Sequence, residues 1–216
     1  MFIFSINALW KNKIAVLVGD FLFVNKMIYG FSKYSCPFNI CPISGRLLSR
    51  EPSRGDIVVF RHPTNDQDYI KRLIGLPGDK IQFVDGDLYI NDNQVLKTRI
   101  SVSDKIYCGN SAVPVNTFEE KLPNGVKYNA VYKKNFSYQT SDEFIVPLKH
   151  YFFLGDNRDC SKDSRYLSSV GYVHKNNLVG KAQFIFFSSD VQIGSIFKFW
   201  EWSKILRINR FFKKIK

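Results

Sequence analysis

The sequence predicts a mostly β fold: an antiparallel β-sheet core, an inserted β-rich subdomain and a short C-terminal helical tail. Three observations carry this. The apolar runs are short, of strand length, and recur with polar turns between them. Asp85-Gly86-Asp87 and Asn124-Gly125 are tight-turn signals between alternating segments. Helical character is confined to the residues after Ile193.

Taken in order, residues 16–24, VLVGDFLFV, read as a buried strand around a Gly-Asp turn, and residues 27–50, rich in Gly, Ser, Pro and Tyr without period, as a loop. Arg50 to Pro63, REPSRGDIVVFRHP, is a polar turn, a strand at Ile57–Phe60 and a proline stop. Residues 69–74, YIKRLI, are the next strand, closed by GLPGD, and KIQFVDGDLYINDNQV is a hairpin. Residues 97–146 are polar and turn-rich and look like an inserted β subdomain. Tyr151 to Leu154 is a strand that runs into a charged loop, and strands at 170–173 and 178–188 follow.

At 216 residues the chain suits one domain, or one domain with a large insertion. Apolar residues at 45% and charged residues at 23% exclude wholesale disorder. The net charge of +12 favours an anionic partner, nucleic acid or a membrane surface. Residues 198–216 hold seven Lys/Arg and one Glu, so the tail supplies half of that charge. A nucleic-acid binder spreads basic residues over its folded face, so a membrane surface is the expected partner and nucleic acid is not. In the tail, Phe199, Trp202, Ile205, Leu206 and Phe212 would share one face of a helix, a pattern suited to a membrane interface. The longest uncharged N-terminal run, Met1 to Trp10, is shorter than the roughly 20 residues a spanning helix needs. It also lacks the basic start of a secretory signal.

The four cysteines, Cys36, Cys41, Cys108 and Cys160, are too few for a disulfide framework in a chain this long and read as free thiols or core packing. They have no second close pair or neighbouring histidine to complete a zinc set, and no metal or cofactor is expected.

Two segments can carry chemistry. The loop GDNRDCSKDSR, 155–165, packs Asp156, Arg158, Asp159, Asp163 and Arg165 with Asn157, Ser161 and Ser164, straight after the apolar run YFFL. Such a loop, leaving a rigid base, suits a scaffold whose ion pairs orient a reactive group. Lys71 lies among apolar neighbours in YIKRLIGL. Alternation sends it to the same face as Leu73, where it either snorkels to water or is desolvated into a neutral amine.

In order, RGDIVVFRHP (54–63), YIKRLIGLPGD (69–79) and GDNRDCSKDSR (155–165) closely resemble the boxes of bacterial type I signal peptidase, and VGDFLFVNKMIYGFSKY (18–34) resembles the segment after its nucleophile box. The resemblance implies an antiparallel β catalytic core, 16–81 plus 148–190, an inserted β subdomain, 82–147, and the basic aromatic tail 191–216. It implies a serine endopeptidase of the Ser/Lys type that removes signal peptides from exported preproteins, with its catalytic domain on the outer face of the inner membrane. Lys71 then matches the general base and Ser161 the serine that positions it. Asp163 and Arg165 match an ion pair that holds the loop, and Asp159 and Arg158 match supporting positions.

Residues 1–15 depart from the family pattern. Nine residues before Asp20, where the nucleophilic serine belongs, stands Lys11; Leu9 and Asn12 replace its companions, and the family's anchor helix has no counterpart in the sequence. Ser5 would need a six-residue insertion to reach the nucleophile position. The chain is therefore expected either to belong to the peptidases by family or to be a non-cleaving, signal-peptide-binding or membrane-associated homologue.

Overall fold

The computed structural model describes residues 15–16, 19–36, 42–65, 67–108, 111–134, 140–189 and 206–215, with backbone alone at 2–5, 102–105 and 107. In chain order the strands are β1 (Phe2–Ser5), β2 (Asp20–Asn25), β3 (Phe31–Ser32), β4 (Arg46–Leu47), β5 (Ile57–Arg61), β6 (Asp68–Gly75), β7 (Lys80–Val84) and β8 (Asp87–Ile90). They continue as β9 (Asn93–Gln94), β10 (Leu96–Cys108), β11 (Ser111–Lys121), β12 (Lys127–Lys133), β13 (Phe144–Ile145), β14 (His150–Leu154), β15 (Val173–His174) and β16 (Leu178–Ser188). The sheet pairings are antiparallel throughout, and the fold is mostly β as the sequence predicts.

A seven-stranded sheet in the order β1-β2-β16-β5-β6-β14-β15 forms the body. Its central strand β5 shows why an unbroken apolar run can be a strand. Ile57 and Val59 pack with Leu22, Val24 and Ile185 on one face, and Val58 and Phe60 pack with Leu73, Tyr151 and Phe153 on the other. Both faces are covered, so the two-residue period needs no polar partner.

The insertion adds β13-β7-β8-β9 and β10-β11-β12. Asp85 and Gly86 both take positive φ, 49° and 80°, as the tight turn between β7 and β8 requires. Ile74, Phe152 and Leu154 of the main sheet share one apolar core with Phe83, Phe118, Tyr128 and Tyr132 of the insertion. The two parts are therefore packed into one body.

Several expectations are corrected. Residues 97–121, whose pattern reads as irregular, form the long β10–β11 hairpin. Its register shifts between Arg99 and Ser101 and again between Ser101 and Asp104, which breaks the alternation a strand would show. Residues 27–50 contain β3, β4 and a 3-10 turn at Lys33–Ser35. The strand expected at 170–173 is reduced to Val173–His174. The three described cysteines are not free: Cys108 and Cys160 form a disulfide, Cα atoms 5.6 Å apart, and Cys36 is disulfide-bonded as well. A small cysteine count carries no information about pairs that folding brings from residues 52 positions apart.

Of the tail, residues 206–215 are described. They hold a single 3-10 turn, Ile208–Arg210, and dock on β16 through the bridge Phe184–Lys214 and on the residue after it through Ser189–Leu206. Arg210 is buried against the equally buried Asp20, Nη2 to Oδ2 at 2.7 Å. Phe199, Trp202 and Ile205 lie outside the described residues, while Ile208 and Phe212 are exposed.

Candidate active site

Strand register brings Lys71 to the charged loop. On β6, Arg72 lies opposite Leu154, the last residue of β14, so the loop that follows begins one residue from Lys71. Lys71 Nζ donates to Ser161 Oγ at 2.8 Å and lies 5.9 Å from the centre of the Tyr69 ring. Burial lowers the Lys71 ammonium below the ordinary lysine value of 10.5; Asp163 and Asp156 pull the other way, and Arg165 adds to the lowering. The net effect is a lysine that gives up its proton more readily than an exposed one.

The loop is fixed by its own charges. Arg165 grips Asp163 with Nε and Nη2, at 2.8 and 2.9 Å, and also donates to the Arg158 carbonyl. Asp163, with no exposed surface, accepts from the Gly155 amide at 3.0 Å. Ser164 exchanges hydrogen bonds with the Phe153 main chain. Gly155 admits no side chain: a Cβ there would stand closer than 3.0 Å to both Cβ and Oγ of Ser161.

The insertion holds the same loop from its other side. Arg158 forms a two-point contact with Glu120, at 3.0 and 2.6 Å, and both are almost fully buried. The Tyr128 and Tyr132 hydroxyls bind both partners. Burial alone would raise the Glu120 carboxyl, but Arg158 and the tyrosine hydrogen bonds outweigh it and hold the carboxyl below its ordinary 4.5. Asp159 accepts the Lys133 amide at 2.6 Å, and Val131 exchanges main-chain bonds with Asp156 and Arg158.

Each singled-out residue from 71 to 165 therefore lies in one cluster: Lys71 with Ser161, Asp163 with Arg165, and Arg158 and Asp159 against the insertion. Lys11, Leu9 and Asn12 lie outside the described residues. Ser5 is on β1, four strands from β6 across β2, β16 and β5. At about 4.8 Å per strand that is roughly 19 Å from the Lys71 strand.

Some partners are missing from the sequence reading. Arg72, buried, makes a two-point pair with Asp156 at 2.7 and 2.8 Å. Glu120 had a legible signal: it shares strand parity with Phe118, so it points inward on a half-buried strand. Tyr128 and Tyr132 carry the same mark, sharing the inward parity of Ala130 on β12.

The profile of a family described as signal peptidase, peptidase S26, matches residues 3–187. The chain belongs to this family. The signal peptidase I of Rickettsia typhi is 43% identical over 223 residues, spanning 94% of this chain and 81% of that protein. That of Rickettsia conorii is 42% identical over 224 residues, with the same coverage. A solved signal peptidase I from Enterococcus faecalis is 31% identical, covers 61% of this chain and 97% of its own, and superposes with a TM-score of 0.38. As a member of the signal peptidases the chain is a peptidase by family, and the boxes that carry Lys71 and Ser161 lie within the matched span.

Proposed function

We propose that this chain carries the proton-transfer half of a Ser/Lys peptidase acting on the signal peptides of preproteins. The single observation that carries the reading is the Lys71–Ser161 bond beside a lysine lowered by burial. A neutral Lys71 amine would take the proton from an attacking hydroxyl as its oxygen bonds to the scissile carbonyl carbon, and would return it to the departing amine. Ser161 positions Lys71, and the Asp163–Arg165 pair holds Ser161. Signal peptides would bind extended, by strand addition.

The residue at the nucleophile position is Lys11, an amine where the hydroxyl belongs. This favours a second reading, in which the chain binds signal peptides without cleaving them. The purified chain is expected to give no detectable cleavage of a signal-peptide substrate while still binding it. Robust cleavage abolished by Lys71→Ala would show that another hydroxyl serves. Robust cleavage that survives Lys71→Ala would remove Lys71 from the mechanism.

We place the chain at the inner membrane with this site on the outer face. The Cys108–Cys160 bridge supports that, since disulfides persist in oxidising compartments. Among the described residues no helix is long and apolar enough to cross a membrane. Exposed Ile208, Phe212 and Phe186, beside Lys213 and Lys214, are proposed to meet the lipid surface. Deleting the tail would strand buried Asp20, so point changes are the better test. Ile208→Ser with Phe212→Ser is expected to reduce co-sedimentation with anionic vesicles several-fold. Undiminished binding would leave the tail without a membrane role.

A further inference from the structure

The stretch Cys160–Ser161–Lys162 sits between two well-fastened segments. Before it, Arg158 and Asp159 are tied to Glu120 and to the Lys133 amide. After it, Asp163 and Ser164 are tied to Arg165, Gly155 and Phe153. Among the described contacts, the stretch itself has two anchors: Ser161 Oγ on Lys71, and the Cys160 bridge to Cys108. The first cannot set the position alone, because a lysine amine on a flexible four-carbon stem follows its partner. The second is covalent and lies on the residue next to Ser161. It comes from the far end of β10, whose neighbour β11 carries Glu120 to Arg158.

We propose that Cys108 and Cys160 are positioning residues: their disulfide fixes Ser161, and through it the Lys71 amine, by tying the far end of the inserted hairpin to the loop. The inference rests on the proposed base role of Lys71. It gives the insertion a second hold on the site, separate from the Arg158–Glu120 pair.

The test compares the pH dependence of Lys71 acetylation by trace acetic anhydride, read by peptide mass spectrometry against exposed Lys127. The proteins are the intact chain and the Cys108→Ser/Cys160→Ser variant. In the intact chain the Lys71 midpoint is expected below 10.5. Without the bridge it is expected to rise by about one unit, tenfold less free amine at fixed pH.

Val115→Ala, in the insertion core, is the control for lost stability. It is expected to lower the melting temperature and leave the Lys71 midpoint in place. If the double variant does not fold, the bridge is opened after folding in a Cys36→Ser/Cys41→Ser background. There dithiothreitol gives two electrons and two protons to the bridge, leaving two thiols, and closes to its own cyclic disulfide.

A lowered midpoint that is the same with and without the bridge overturns the inference and leaves the base role standing. An equal shift in Val115→Ala overturns it too. An ordinary lysine midpoint in the intact chain overturns the base role and this inference with it.

Discussion

Glu120→Ala is expected to destabilise the fold by about 3–5 kcal/mol, because it leaves the Arg158 guanidinium buried without its counter-charge. The neighbouring Glu119→Ala is expected to cost no more than about 0.5 kcal/mol. Glu119 pairs with Lys127 in the open, at side-chain exposures of 38% and 56%, where water screens the attraction. Urea unfolding of the two variants side by side checks this contrast; equal costs would mean that the Arg158 cluster is not the joint between insertion and loop. The pH dependence has a definite sign. Glu120 is held below 4.5, so the unfolded chain binds its proton first as pH falls. The stabilisation is complete above 4.5 and is lost as pH drops through the lowered folded value.

The second large effect is expected at Gly155. Gly155→Ala puts a methyl group where Ser161 already stands, so either Ser161 or the strand end must move by roughly an ångström. Such overpacking costs about 1–3 kcal/mol. The 2.8 Å bond to Lys71 is expected to break. In a chain able to turn over, a misplacement of that size would cost on the order of 100-fold. A crystal structure of the variant with Ser161 and Lys71 unmoved would contradict this.

The β class and the positions of the main strands along the chain were legible because each rests on a local signal, whereas the meeting of Lys71 with the 155–165 loop was implied only by the family resemblance. Those signals are strand-length apolar runs, the Asp85-Gly86 turn, and boxes that are contiguous in the sequence. What stayed hidden depends on long-range pairing. The β10–β11 hairpin loses its two-residue period at bulges. The Cys108–Cys160 bridge joins residues that no spacing rule connects. Arg72 looks like an ordinary strand residue until β14 brings Asp156 to it. Of the helical face expected on Phe199, Trp202, Ile205, Leu206 and Phe212, only Leu206 and Phe212 are described; there the chain makes a short turn in which Arg210 satisfies buried Asp20.

Burial beside Ser161 lowers the Lys71 ammonium below its ordinary value, and the ionisation of Lys71 itself tests this most directly. Nuclear magnetic resonance of the chain labelled in lysine side chains, assigned through Lys71→Arg, would follow that one group from pH 5 to 11. The account predicts a midpoint clearly below 10.5. It also predicts stability that rises with pH between that midpoint and 10.5, because the unfolded chain holds the Lys71 proton longer than the folded one. A Lys71 that titrates with the exposed lysines would contradict the account.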